Sequence, residues 1–270
     1  MPVGVSSRGG VALALALCAA RAAPADLAPP VPIRYDLAVD GAVAGGAIAA
    51  SLLLAGFETQ LTPAACRWCV PGPVDASLHG ATLWADPQAA DVTSGVLEIA
   101  VIPVSMLGYL VLSANAAGDV SAGLVDALLV VEAVAISQVL TQAVKEIAAR
   151  QRPWAYYGPN PGGEGPVANL SFYSAHTSFT FATVAATLTV ASLRGYPGAW
   201  IAGASGFVVA AFVGYLRMAA DAHYFTDVLV GAAAGGLVGF AVPYLFHGRK
   251  KATEPGAIVP APGGLAVTFW

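Results

Sequence analysis

Two basic residues at the end of a hydrophobic run are the first candidates for chemistry. The stretch "KEIAARQRP" places Lys145 and Arg152 seven residues apart, which is two turns of a helix. If the helix continues, their Cα atoms lie roughly 10 Å apart along its axis, and the two long side chains can close around one anion. Pro153 would then end the helix. The alternative is a basic flank of a membrane segment that binds nothing.

A histidine followed four residues later by an aspartate forms the second candidate. The stretch "LRMAADAHYFTD" contains Arg217, His223 and Asp227. On a helix that begins near His223, Asp227 lies one turn on and on the same face. Its carboxylate would accept the Nδ1 proton and leave Nε2 as a nucleophile. Two alternatives stay open: a histidine at a helix start beside an aspartate that suits the helix dipole, or a metal site that includes Asp221.

A second histidine stands at the predicted start of a helix, in "SFYSAHTSF". Backbone N–H groups at a helix start bind anions, Ala175 is small enough to let a ligand approach its N–H, and Ser174 adds a hydroxyl. Two histidines with different partners suggest one nucleophile and one general acid. The alternative is a Ser174 cap with an interfacial histidine. His79 and His247 are interpreted as interfacial.

The elements that must position these residues are membrane helices. Of the 270 residues, 57% are hydrophobic and 10% charged, with a mean hydropathy of +0.70. An ordinary soluble domain has about 25% charged residues. The net charge of −4 gives no sign of nucleic-acid binding. The composition therefore predicts an integral membrane protein, an all-α polytopic transmembrane helical bundle with five or six spans.

Hydrophobic runs of about 20 residues, the length that a spanning helix needs, predict five spans. These are residues 96–115, 124–148, 175–193, 198–218 and 224–246. A sixth stretch, 37–57, is weakened by Asp40 and four glycines, so we expect it to lie against the membrane or to pack on the bundle. If the five runs span, all three candidate stretches meet at one membrane face. Three cations and two histidines at one face match a tetrahedral oxyanion such as phosphate.

The charges and cysteines outside these runs predict the orientation. Residues 1–25 resemble a signal peptide, with an uncleaved anchor as the alternative; a lipoprotein site at Cys18 is a weaker interpretation. The acidic segment 58–95 and the basic residues 249–251 place the tail in the cytoplasm. The site would then face the periplasm from a bacterial inner membrane. The alternative is a site that faces the cytoplasm, if 37–57 spans and residues 1–25 are retained. Cys66 and Cys69 favour a local disulfide. The predicted divisions are 1–25, an N-terminal segment 26–95, a core 96–248 and a flexible tail 249–270.

The three stretches together resemble the signature of the type 2 phosphatidic acid phosphatase (PAP2) superfamily, in its lipid phosphate phosphatase branch. The family pattern K-x6-RP, PSGH and SR-x5-H-x3-D corresponds here to "KEIAARQRP", "YSAH" and "LRMAADAHYFTD". Tyr173, Ala175 and Leu216 depart from the pattern, while every ionisable position is kept.

The resemblance implies a role for each matched residue. The phosphate would be bound by three cations, a hydroxyl and a backbone N–H: Lys145, Arg152, Arg217, Ser174 and the N–H of Ala175. His223 would attack phosphorus with Asp227 orienting it, and His176 would protonate the leaving oxygen. The resemblance implies no metal, no cofactor and no protein partner.

The expected substrates are lipid phosphates or diphosphates at the bilayer, such as phosphatidic acid, phosphatidylglycerol phosphate or polyprenyl diphosphate. The alternatives are vanadate-dependent halide oxidation, a metal hydrolase, and a catalytically weak or inactive phospholipid-binding protein.

Overall fold

The computed structural model describes residues 28–158, 165–250, 258–261 and 264–267. The predicted signal peptide and Cys18 lie outside these residues. Helices dominate, which confirms the all-α class. They are α1 (Leu37–Gly56), α2 (Glu58–Leu61), α3 (Pro73–Thr82), α4 (Pro87–Val96), a π-helical segment (Leu97–Val101), α5 (Ile102–Ala116), α6 (Val120–Ala148), α7 (Pro153–Tyr157), a 3-10 turn (Pro166–Asn169), α8 (Ala175–Arg194), α9 (Ala199–Ala219) and α10 (Phe225–Phe246).

Five of the described helices are long and apolar enough to cross a membrane. They are Leu37–Gly56, Pro87–Ala116, Val120–Ala148, Ala199–Ala219 and Phe225–Phe246. The second joins α4, the π-helical segment and α5, and it begins nine residues before the predicted start. The earlier start has a local cause, because Asp86 accepts a hydrogen bond from the N–H of Ala89 as an N-cap and Pro87 occupies the first turn.

Helix α8 forms as predicted but is not among these five helices. Its apolar pattern is interrupted by threonines, and Thr180 and Thr183 bond back to carbonyls of the preceding turn. The helix is central to the bundle and packs against α5, α6, α9 and α10. Its buried residues join those of α6 in the main apolar core, around Leu129, Ala186 and Val190. Neighbouring helices rather than lipid cover most of it, so it needs less apolar surface.

Glycines let α10 lie directly on the backbone of α8. A Cβ added at Gly235 would lie 2.1 Å from the carbonyl oxygen of Ser178, and one at Gly239 would lie 2.3 Å from that of Ala182. Only hydrogen fits at these positions, so the glycines let the two helix backbones pack closely. This contact fixes the start of α8 relative to the start of α10.

Helix α1 runs along α6 from one end of the bundle to the other. Before it begins, Ile33 pairs with Arg249 and the N–H of Arg34 bonds to the carbonyl of Gly248 at 3.1 Å, just after α10. After it ends, the N–H of Arg67 bonds to the carbonyl of Ala149 at 3.0 Å, just after α6. The stretch 37–57 therefore packs on the bundle, as expected, and extends over its full height.

Two features lie beyond the spanning helices. Cys66 and Cys69 form the expected disulfide, and Trp68 between them pairs with Arg150 in an isolated bridge. Within the stretch predicted as a flexible tail, β1 (Ile258–Ala261) and β2 (Gly264–Val267) form an antiparallel ribbon in which Ile258 faces Val267.

Candidate active site

His223 lies in the short connection between α9 and α10, with its side chain 2% exposed. Its Nδ1 is 2.8 Å from the carbonyl oxygen of Ser171 and 3.8 Å from Oδ2 of Asp227. The sequence predicted a direct hydrogen bond from Nδ1 to Asp227, but the closer acceptor is the Ser171 carbonyl. A proton on Nδ1 donated to that carbonyl leaves Nε2 with its lone pair.

Asp227 acts on His223 through Ser171. Its Oδ2 accepts hydrogen bonds from the Ser171 hydroxyl at 2.5 Å and from the N–H of Tyr224 at 2.9 Å, while Oδ1 accepts from Nη1 of Arg150 at 2.5 Å. All of these partners are buried, so the carboxylate has one orientation. The residue whose carbonyl holds His223 is thus itself held by Asp227.

Arg150 is a central residue of the site that the sequence did not single out. Its Nη2 lies 2.6 Å from Oδ2 of Asp75 on α3, opposite the bond to Asp227, and its side chain is 1% exposed. The guanidinium lies between two rings, 3.8 Å from the centroid of Trp68 and 4.3 Å from that of Tyr224. A buried arginine needs such partners, and the available signal in the sequence was a third basic residue inside the motif "KEIAARQRP".

The chain positions Lys145 and Arg152 differently from the predicted two-turn arrangement. Helix α6 ends at Ala148, Ala149 turns the chain in a left-handed conformation (φ 41°), and Pro153 begins α7 instead of ending α6. The helical extrapolation to Arg152 was therefore wrong, because a tight C-terminal turn is decided by tertiary contacts. Both cations still point into the loops around His223.

The hydrogen-bond acceptors of these two cations are backbone carbonyls. Lys145 Nζ donates to the carbonyl of Leu170 at 3.3 Å. Arg152 donates from Nε to Val167 and from Nη1 to Ala222, each at 3.2 Å. Carbonyls orient the cations without neutralising them, so their charge remains available to an anion.

The third cation, Arg217, comes from the last turn of α9. Its Nη1 donates to Oδ1 of Asp91 at 2.5 Å and to the Ser94 hydroxyl at 2.8 Å, both on α4. Asp91 is 56% exposed, so water screens its charge, whereas Arg217 is 5% exposed. Leu216, which departs from the family pattern, is fully buried in an apolar cluster with Ala90 and Ala219.

All three cations disfavour protonation of His223 through their positive charge. Burial, and after it the charges of Arg152, Lys145 and Arg217, hold the pKa of His223 well below its ordinary value. Burial, together with the charge of Arg217, also lowers the pKa of Arg152 to about 10. The two loops therefore enclose a region of strong positive potential around a neutral imidazole.

The start of α8 holds the remaining predicted residues. Ser174 is fully buried and caps the helix, because its Oγ accepts from the N–H of Thr177 at 3.4 Å. The N–H of Ser174 donates to the carbonyl of Asp227 at 3.1 Å, which joins the α8 and α10 starts. Ala175 is the first residue of α8, where backbone N–H groups have no helical acceptor. The capping role was the alternative stated for Ser174, and its hydroxyl can still donate to a ligand.

His176 meets a carboxylate that the sequence analysis passed over. Its Nε2 is 3.0 Å from Oε2 of Glu98, with the two side chains 29% and 14% exposed. Glu98 lies in the π-helical segment of the second spanning helix. A single acidic residue in a predicted span is a functional candidate by default, and that was the available signal.

Asp221 does not join His223 and Asp227 in a metal site. Its Oδ1 is 2.6 Å from Nε2 of His79, and the His79 ring stacks on Tyr157 at a centroid distance of 4.0 Å. His79 is therefore a packed partner of the site loop rather than an interfacial residue. In the described ranges, the potential metal-ligand atoms of these three residues do not cluster.

A family model decides what kind of protein carries this arrangement. The model of the PAP2 superfamily matches residues 126–251. Over these residues the chain belongs to the PAP2 superfamily. A search of curated proteins and of solved structures found no match. All eight predicted site residues and Arg150 lie inside the PAP2 match, while Asp75, Asp91 and Glu98 reach the site from residues that precede the match. Membership supports a phosphatase-type activity.

Proposed function

We propose that this protein hydrolyses lipid phosphates or diphosphates without a metal, through a phosphohistidine on His223. The observation that carries the proposal is the convergence of three cations and two histidines at one end of the bundle, around an imidazole that is held neutral. Nε2 of His223 attacks phosphorus, the P–O bond to the lipid breaks, and His176 donates a proton to the departing oxygen. Water then attacks the phosphohistidine and breaks the N–P bond, and His176 accepts the proton of that water.

The charges around His223 support binding of a phosphate. Lys145 and Arg152 have backbone carbonyls as partners, and the partner of Arg217 is an exposed carboxylate. An entering phosphate would supply the missing negative charge, and the free N–H groups at the α8 start would add donors. These interactions strengthen as charge builds up on the phosphoryl oxygens in the transition state.

An apolar cavity supports a lipid as the leaving group. It has a volume of about 270 Å³ and lies between α1, α5, α6 and α8, lined by residues that include Leu52, Pro103, Val134 and Phe179. Phe179 follows His176 by three residues, so the cavity begins about one turn from the proposed acid. Its size suits a stretch of acyl or prenyl chain.

We further propose that the site faces the periplasm of a bacterial inner membrane. The disulfide segment lies at the site, because Trp68 contacts Arg150, and disulfides form in oxidising compartments. The basic residue Arg249 lies at the opposite end of the bundle, and basic residues are enriched in cytoplasmic loops. With α1 crossing the membrane, residues 28–36 would then be cytoplasmic, and removal of residues 1–25 by an exported peptidase would be excluded. The intact mass of the purified protein tests this consequence.

The deciding experiment measures phosphate release in detergent with EDTA. The substrates are phosphatidic acid, phosphatidylglycerol phosphate and polyprenyl diphosphate, and the variants are His223→Ala and His176→Ala. Gly236→Ala on α10, where an added Cβ meets no atom within 4 Å, is the control. We expect release by the wild type and the control, and loss by roughly 10²-fold or more in the two site variants.

A radiolabelled substrate adds a second measurement. An acid-labile, base-stable phosphoprotein should form in the wild type and be absent from His223→Ala. Turnover without such an adduct would contradict the phosphohistidine, and no turnover of any lipid by folded protein would favour a binding role.

A further inference from the structure

Three buried side chains meet at the end of the bundle opposite the active site. Asp40 from the first turn of α1, Glu132 from α6 and His247 just after α10 each offer one ligating atom, and these atoms lie within 4.8 Å of one another. The residues are 5%, 5% and 3% exposed. Each comes from a different helix or helix end, and none belongs to the PAP2 signature.

Two atoms in this cluster have no hydrogen-bond partner. Oε2 of Glu132 and Nε2 of His247 are buried and unpaired in the described part of the chain, although they lie 3.2 Å apart. Nδ1 of His247 is 3.2 Å from the carbonyl oxygen of Arg34, so a neutral ring carries its proton on Nδ1 and its Nε2 lone pair faces the carboxylate. Two facing acceptors require something positive between them.

The charge of the cluster points to a divalent ion. No lysine or arginine in the described ranges comes within 4.0 Å of the Asp40 or Glu132 carboxylate. Two buried carboxylates with a neutral imidazole carry a charge of −2, which is very costly away from water. Protonation of His247 would leave −1, whereas one divalent cation gives a neutral site.

One distance within the cluster also fits two ligands of a single metal ion. Two ligands that are each about 2.1 Å from a tetrahedral ion are roughly 3.4 Å apart, close to the 3.2 Å between Glu132 and His247. Two of the three ligands also make a hydrogen bond to the backbone. Nδ1 of His247 bonds to the Arg34 carbonyl, and Oδ2 of Asp40 accepts from the N–H of Asp36 at 2.8 Å. Such outer contacts orient ligands in metal sites.

We propose that Asp40, Glu132 and His247 bind one divalent transition-metal ion, with zinc as the best match to a set of one imidazole and two carboxylates. The site is structural. It ties α1, which lies outside the PAP2 match, to the helices inside it. Glu132 precedes Lys145 by thirteen residues on α6, roughly 20 Å along the axis, so the ion takes no part in phosphate chemistry.

The test measures zinc in the full-length protein, purified in detergent without a histidine tag. Metal content is determined before and after chelation, and zinc binding to the stripped protein is followed by titration. Glu132→Gln and His247→Gln remove one ligand each with little change in shape. His79→Gln is the matched histidine control, because His79 contacts Asp221 outside the cluster.

We expect about one zinc per wild-type and control chain, with affinity lowered at least tenfold in each ligand variant. Zinc should raise the unfolding temperature of the stripped wild type and leave that of Glu132→Gln unchanged. A folded wild type that binds no zinc would overturn the proposal, as would zinc binding undiminished in both ligand variants. If the variants do not fold, the wild-type titration alone decides. Glu132→Gln should keep its kcat on any lipid the wild type hydrolyses, so this result is separate from that of the phosphatase assay.

Discussion

Replacing Arg150 should damage both stability and catalysis, because two buried carboxylates depend on it. In Arg150→Met, a side chain of similar length keeps the packing between Trp68 and Tyr224 but removes the charge. Asp75 and Asp227, with side chains 2% and 0% exposed, would lose their common partner. Thr226 would remain bonded to Asp75 but cannot neutralise it.

The size of the effect follows from the burial of the group. Removing one partner of a buried ion pair costs about 3–5 kcal/mol, since the other charge stays buried without compensation. For a protein of this size, 1 kcal/mol corresponds to about 2–4 °C in unfolding temperature, which gives a decrease of about 6–20 °C. Arg150→Lys should lose less, about 1–3 kcal/mol, because one ammonium cannot make both carboxylate contacts.

The assay combines thermal unfolding in detergent with kcat on a lipid phosphate. Adding Asp75→Asn to Arg150→Met should recover part of the lost stability, because one of the two uncompensated charges is removed. It should not restore kcat, since Asp227 and therefore Ser171 and His223 stay misplaced. Wild-type stability and kcat in Arg150→Met would refute the assigned role, and recovery of kcat in the double variant would show that Asp227 does not depend on Arg150.

Three further predictions concern the helix contact, the nucleophile and the acid. Gly235→Ala should lower stability by about 1–3 kcal/mol or more, because its Cβ would overlap the α8 backbone, whereas Gly236→Ala, with no atom within 4 Å, should not; equal unfolding temperatures would contradict this. The depressed pKa of His223 means that the unfolded chain binds a proton that the folded chain does not. The contribution of His223 to the free energy of unfolding should therefore be constant above about pH 6.5 and fall at lower pH by up to about 1.4 kcal/mol per pH unit. His223→Gln should remove this part of the pH dependence in unfolding scans. Glu98→Gln should lower kcat on lipid phosphates roughly 10²-fold by disturbing the proton on His176, yet have little effect on an aryl phosphate whose leaving group needs no proton; equal losses on both substrates would argue against this role.

Local patterns in the sequence predicted most helices and their approximate limits. Hydropathy and run length predicted four of the five helices that are long and apolar enough to span, but not Leu37–Gly56, and they added α8. The predicted start of α8 at Ala175 agrees with the structure. The limits failed where short-range chemistry was overlooked, as at Asp86 and Pro87, or where tertiary contacts turn the chain, as at Ala149. In each case one capping residue or one loop contact outweighs the hydrophobic pattern.

The sequence by itself determined the membrane class, the PAP2 membership and the eight candidate residues, because each depends on composition or on spacing within one short stretch. Tertiary structure alone decided which group each of these residues meets. Asp75 and Arg150 are 75 positions apart, and Asp227 is 77 beyond Arg150. Glu98 and His176 lie on different helices, as do Asp40, Glu132 and His247. Such pairs share no sequence period, and only the packing of the helices brings their charges within a few ångströms.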